Sequence, residues 1–150
     1  MHTGPLFIAS DHAGYQLKRR LVRFIEKELA LAVTDIGPAE YQAEDDYPDY
    51  ALPLARQVAE TDGRGILICK NGIGVCIAAN KVKNVRAGLG YNLDVAETMR
   101  QEDDANVLCL PAKLLSADHA MAIVKRWLGT EFSGAERHVR RLEKIQQYAS

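Results

Sequence analysis

The sequence predicts an α/β fold, a five-stranded parallel sheet with helices on both faces, built as one domain over residues 1–150. Three observations predict it. Five short apolar runs alternate with longer stretches of helical periodicity, the pattern of strands joined by helical crossovers. The run GILIC (Gly65 to Cys69) is apolar at successive positions, as a strand buried on both faces must be. The 150 residues suit a single domain, and no repeat, low-complexity tract or linker composition divides them.

Taken in order, Pro5 to Ser10 (PLFIAS) is the first strand, closed by Asp11-His12-Ala13-Gly14. Leu17, Leu21, Ile25 and Leu29 recur every four residues with Phe24 alongside, which marks an amphipathic helix. Ala32 to Ile36 reads as a second strand ended by Gly37-Pro38, and the polar, acidic stretch 39–47 as a surface loop. Pro48 is suited to the first turn of a helix running through Leu52, Leu54, Ala55, Val58 and Ala59. After the third strand, Asn71-Gly72-Ile73-Gly74 turns the chain into a helix reaching Lys81. Val85 to Tyr91 is the fourth strand, and Asn92 caps a helix carrying Val95, Ala96 and Met99. Asn106 to Leu110 is the fifth strand, stopped by Pro111, and Ser116 caps a helix through Leu128. Ser133 and Glu136 have the spacing of a capping box for a last helix, with Val139, Leu142 and Ile145 inward.

Composition excludes several classes. Nineteen Lys+Arg against 20 Asp+Glu leave a formal charge of −1, without the basic excess of a general nucleic-acid binder. No run of about 18 apolar residues is present, so no membrane span is expected. The opening MHTGPLFIASDHAG lacks the basic region and long apolar stretch of a secretory signal. Cys69, Cys76 and Cys109 are odd in number and form no CxxC pair. They read as reduced thiols of a cytoplasmic protein, with no structural zinc.

Ligands of open parallel sheets bind beyond the carboxyl ends of the strands. That rule selects Asp11 and His12 after strand one, Cys69, Lys70, Asn71 and the glycines after strand three, Tyr91-Asn92 after strand four, and Lys113 after strand five. Cys69 precedes a helix start, a position that favours thiolate and suits a base or nucleophile; a small buried hydrophobe is the competing reading. The turn Asn71 to Gly74 is neither a full GxGxxG nor a P-loop. Its amides can approach an anion, or the glycines can simply make a tight turn. Asp11 and His12 form either a proton-handling pair or a helix cap beside a solvated ring. Arg137 and Arg141, four apart, project from one helix face as a phosphate clamp or as part of a solvated basic face with Arg140 and Lys144. His2 and His119 read as surface residues.

The strings IASDHAGYQLK (Ile8 to Lys18), DYPDYA (Asp46 to Ala51), GILICKNGIGVCIAANK (Gly65 to Lys81), DANVL (Asp104 to Leu108) and ERHVRR (Glu136 to Arg141) occur in an order and spacing that resembles the type B ribose-5-phosphate isomerase family, which includes galactose-6-phosphate isomerase subunits. The resemblance covers essentially the whole chain. It implies a Rossmann-like three-layer sandwich and aldose–ketose isomerisation of a sugar phosphate through a cis-enediolate. The substrate it implies first is ribose 5-phosphate, giving ribulose 5-phosphate. No metal and no organic cofactor are implied. It also implies a homodimer or dimer of dimers with shared active sites, the helix over 134–148 meeting a partner subunit.

By position, the resemblance makes Cys69 the base and Gly72, Ile73 and Gly74 the anion-hole turn. Asp11 and His12 would contact the sugar and its phosphate end, Tyr47 would stand beside the pocket, and Arg137 and Arg141 would clamp the phosphate. Beside Lys70, where a Gly is usual, and Gln101, where a Glu is usual, four positions depart from the family in ways that bear on the chemistry. Asn71 stands where a Thr or Ser is usual, and cannot relay a proton as a hydroxyl can. Glu102 replaces a ring-opening His, Asp103 replaces an Asn that holds a sugar hydroxyl, and Lys113 stands for a frequent Arg. Either Glu102 opens the ring by acid–base work, or the substrate, such as a terminally phosphorylated tetrose, needs no ring opening. A hexose phosphate, a catalytically idle sugar-phosphate-binding paralogue and a nucleotide-binding module are the other readings.

Overall fold

The computed structural model describes residues 1–149. Its strands are β1 (Leu6–Ser10), β2 (Thr34–Gly37), β3 (Arg64–Cys69), β4 (Ala87–Leu89) and β5 (Val107–Pro111). Its helices are α1 (Tyr15–Lys27), α2 (Pro48–Thr61), α3 (Ile73–Ala79), α4 (Leu93–Gln101), α5 (Ala117–Leu128) and α6 (Glu136–Gln146), with a short 3-10 turn over His12–Gly14. The strands form one sheet in the order β2-β1-β3-β5-β4, every neighbouring pair parallel.

The three layers follow from the two-residue period of the strands. Leu6 and Ile8, Ile66 and Ile68, and Leu108 and Leu110 share one face, packed with Leu21 and Ile25 of α1, Met99 of α4 and Trp127 of α5. The alternate residues, Phe7, Ala9, Leu67, Cys69, Val107 and Cys109, pack on the other face with α2 and α3. Cys69 therefore points toward the α3 side of the sheet. The unbroken apolar runs of β1, β3 and β5 are buried at every position, as sequence patterning required.

Several boundaries move. The fourth strand shrinks to Ala87–Leu89 because the Arg86 N–H turns to the Asn106 side chain at 2.7 Å. Pro111 does not stop β5 but ends it, in register with Cys69. The expected capping box at Ser133 and Glu136 does not form. Gly134 sits at φ +63°, the helix starts from Ala135, and Ser133 Oγ instead accepts the Ala135 N–H and meets His138 Nδ1 at 2.7 Å. The last helix covers Glu136–Gln146 rather than 134–148. His138 is its buried residue, while Val139 and Leu142 are half-buried and Ile145 is exposed.

Candidate active site

The order β2-β1-β3-β5-β4 has its switch point between β1 and β3, where the chain leaves the sheet centre in opposite directions. The crevice beyond the carboxyl ends of these two strands is where such a sheet takes a ligand. Asp11 and Cys69 border it. The Asp11 N–H donates to the Ile68 carbonyl at 3.3 Å, tying the two strand ends together.

Asp11 is buried, and its Oδ1 accepts the N–H groups of Ala13 (3.0 Å) and Gly14 (3.3 Å). Asp11 therefore caps the 3-10 turn His12–Gly14 rather than α1, which starts from Gly14 without a side-chain cap, and its Oδ2 lies outside these bonds. Burial raises its pKa, against the two amide bonds that favour the carboxylate. Gly14 is required by proximity: a Cβ there would lie 2.8 Å from the Ile68 carbonyl oxygen.

His12 is not a free solvated ring. Its Nδ1 lies 2.7 Å from Asp45 Oδ1, and its backbone N–H donates to the same oxygen at 2.9 Å. The hydrogen bond to Asp45 is the main reason the imidazole pKa rises, with the Asp11 and Asp45 charges adding to it. Burial would push the Asp45 carboxyl up, but the bonds from His12, with the Tyr50 side chain and the His12 charge, together more than offset that and hold it below its ordinary value. Asp45 belongs to the loop that reads from sequence as mere surface. It stands 33 positions from His12, and no spacing rule joins them.

Cys69 ends β3, 5% exposed, with Sγ 3.8 Å from Asn71 Oδ1. Asn71 Oδ1 also accepts the Ile73 N–H at 3.0 Å, closing the turn before α3. Gly72 holds φ +75°, and the first-turn amides of Gly74 and Val75 have no intrahelical acceptor. Tyr47 lies over this turn; a Cβ on Gly74 would meet its ring at 2.7 Å. Ile73 is exposed beside it. Lys113 arrives from β5, its N–H donating to the Lys70 carbonyl at 2.9 Å, while the Ala112 N–H donates to the Cys69 carbonyl at 2.9 Å. Asp11, His12, Tyr47, Cys69, Asn71, Gly72, Ile73, Gly74 and Lys113 therefore share one rim.

The other expected residues lie at the opposite end of the sheet. Helix α4 runs back against the strands, so Glu102 and Asp103 follow it at the edge where β5 begins. Asp104 fastens that corner through Arg100 (2.9 Å) and Arg86 (3.1 Å). Helix α6 is tied to the same edge, Gln146 to Asn84 at 3.1 Å, and the Ser133 N–H just before it donates to the Gln101 carbonyl at 3.1 Å. Glu102 and Arg137 line one cleft there with Ser133 and His138. Asp103 faces a second groove, with Leu142 and Tyr148. Arg141 is exposed on α6. β5 alone spans about 17 Å, so one chain does not bring Glu102, Asp103, Arg137 or Arg141 to its own Cys69.

Among the described residues, Asp11, His12 and Asp45 place one ligand atom each within 4.8 Å of one another. Asp45 Oδ1 and His12 Nδ1 already bond each other, so the trio is organised as a hydrogen-bonded unit rather than a cation cage.

An open α/β sheet whose switch-point rim gathers a thiol, an imidazole–carboxylate pair and a glycine turn at a helix start has the arrangement of an enzyme active site. The comparisons specify which. The model of the ribose/galactose isomerase family matches residues 6–145, and the chain belongs to that family. It is 44% identical over 145 residues to the "Probable ribose-5-phosphate isomerase B" of Mycoplasma pneumoniae, covering 96% of this chain and 94% of that protein. It is 33% identical to the ribose-5-phosphate isomerase B of Mycolicibacterium paratuberculosis, over 95% and 90% of the two chains. The crystal structure of the Mycoplasma genitalium enzyme with bound ribulose 5-phosphate superposes with a TM-score of 0.93 at 42% identity, over 99% of this chain and 97% of that one.

Proposed function

We propose that this chain interconverts ribose 5-phosphate and ribulose 5-phosphate, with Cys69 as the base. The observation that carries the proposal is the placement of the Cys69 thiol at the β1–β3 switch point, between Asp11 and the Asn71–Gly74 turn. In the forward direction Cys69, as thiolate, removes the proton from C2 of the open-chain aldose while the C1 carbonyl oxygen takes up the charge. The cis-enediolate receives the same proton at C1, and the proton of the O2 hydroxyl ends on O1. Electrons stay within one molecule, so the chemistry calls on no cofactor. Donors for the enediolate oxygens are the amides of Gly74 and Val75 and the Asn71 side chain.

The site is completed by a second copy of the chain. Its Arg137 and Arg141 hold the phosphate, with Glu102 and Asp103 on the sugar, because these residues stand at the far edge of their own sheet. The half-covered apolar side of α6 supports the same contact. Cytoplasmic placement accords with three free thiols, and no helix among the described residues is long and apolar enough to cross a membrane.

The test is isomerisation of four-, five- and six-carbon aldose phosphates by wild type, Cys69→Ala and Glu102→Gln. Turnover of the five-carbon substrate, lowered at least about a hundredfold by Cys69→Ala and strongly by Glu102→Gln, is expected. Turnover of none would end the isomerase reading. A preference for the four-carbon substrate with indifference to Glu102→Gln would assign the open-chain alternative.

A further inference from the structure

Asp45 makes no contact with the reacting carbons, yet it is as tightly held an acid of the rim as Asp11. Its side chain is 7% exposed, and one oxygen accepts both the ring and the backbone of His12. The charged and titratable groups facing His12 come from its own turn (Asp11) and from the loop after β2 (Asp45), with the Tyr41 ring edge-on at 6.5 Å. Tyr50 of α2 stands on the other side of Asp45. The imidazole therefore has two carboxylates within 4.8 Å of it.

We propose that Asp45 is a positioning residue for the isomerisation: it holds the His12 ring in one orientation and keeps its second nitrogen, Nε2, a charged donor aimed at the substrate's phosphate. The inference rests on the sugar-phosphate reading above. Its physical basis is direct. A carboxylate accepts and cannot donate, so Nδ1 must carry the proton in the 2.7 Å contact. Nε2 is then the nitrogen left for a ligand. A buried carboxylate also favours a cationic partner over a neutral one, which agrees with the raised imidazole and lowered carboxyl pKa values. His12 thus stays protonated above the pH at which an ordinary histidine, near 6.5, becomes neutral. A charged donor holds phosphate more strongly than a neutral one by about 1 kcal/mol, or roughly fivefold in affinity.

The sign of the pH effect separates this role from a structural one. With Asp45→Asn the ring loses its carboxylate and its pKa falls. Above the ordinary histidine range the variant's ring is neutral while the wild-type ring is still charged. The KM ratio of variant to wild type therefore opens to about fivefold and closes again once pH passes the raised wild-type value. kcat changes less than KM, because the bond is to the phosphate and not to the reacting carbons.

The experiment measures kcat and KM for ribose 5-phosphate, and the inhibition constant of inorganic phosphate, from pH 6.5 to 9.5. It uses wild type, Asp45→Asn, Asp45→Glu, His12→Gln and the double variant. The His12 ring is titrated by nitrogen NMR in the same intact proteins. A KM gap that opens and closes with pH, a lowered His12 titration in Asp45→Asn, partial rescue by Asp45→Glu, and no further pH-dependent loss on adding Asp45→Asn to His12→Gln are expected. A KM gap constant across pH overturns the proposal in favour of a loop-holding role. An unmoved His12 titration overturns it as well. Failure of the isomerase reading shows differently: wild type turns over no sugar phosphate, while NMR and phosphate inhibition still report on Asp45 and His12.

Discussion

Replacing Gly72 by Ala tests whether the turn after Cys69 depends on one backbone conformation. Gly72 has φ +75°, which for an L-residue costs roughly 1–2 kcal/mol. The added Cβ would lie 2.5 Å from Leu89 Cδ1 and 3.1 Å from the backbone at Leu110 and Pro111. The leucine methyl can move, but β5 cannot, so overpacking adds about 1–2 kcal/mol. A total near 3 kcal/mol lowers the melting temperature of a chain this size by about 6–12 °C. Gly74→Ala is the control. That residue lies within helix α3, where Ala is favoured over Gly by about 1 kcal/mol, and its new Cβ would meet the ring of Tyr47, which is 37% exposed and free to swing away. Urea denaturation at constant m, together with turnover of ribose 5-phosphate, provides the assay. Gly72→Ala should lose both stability and activity, whereas Gly74→Ala should lose activity with stability within about 1 kcal/mol of wild type. Equal stabilities for Gly72→Ala and wild type, or an equal loss in both variants, would refute the argument.

Two further outcomes follow from the placement of residues. On the proposed site shared by two chains, Cys69→Ala and Arg141→Ala proteins, each inactive alone, should regain about a quarter of wild-type activity when unfolded and refolded together at equal amounts, since half of random dimers are mixed and each mixed dimer has one intact site; no recovery would place both residues in one chain's site. Lys18→Met should cost about 2–3 kcal/mol by urea denaturation, the loss of hydrogen bonds made by a charged group whose partner carboxylate stays partly solvated. Lys18 is 1% exposed and donates to Asp35 (2.8 and 3.0 Å) and to the Pro38 carbonyl (2.6 Å). Because that bond anchors the loop bearing Asp45 and Tyr47, KM for ribose 5-phosphate should rise as well.

The strands that were easiest to read are those whose burial leaves no choice of residue. β1, β3 and β5 are apolar at nearly every position because helices cover both their faces. β2 and β4, at the sheet edges, are partly exposed and held by fewer neighbours, and their ends fall one or two residues from those the sequence predicts. The capping box failed for a local reason, since Gly134 bends the chain and His138 takes the Ser133 hydroxyl. His138, buried in the structure, carries no sequence signal, because a histidine among Arg137, Arg140 and Arg141 looks like part of a solvated face.

Strand and helix periodicity carries the layered α/β architecture, and the strand ends mark the rim residues at or just after them: Asp11, His12, Cys69, Asn71 and Lys113. Those assignments needed only the rule that places ligands beyond strand ends. What meets across the chain is set by tertiary packing. It seated the Asp45 carboxylate on His12, laid Tyr47 over Gly74, and set Glu102, Asp103, Arg137 and Arg141 at the far edge of the sheet from Cys69. The reason is physical: periodicity records which face of an element is buried, whereas a contact between residues 33 positions apart depends on how two loops fold over a strand end.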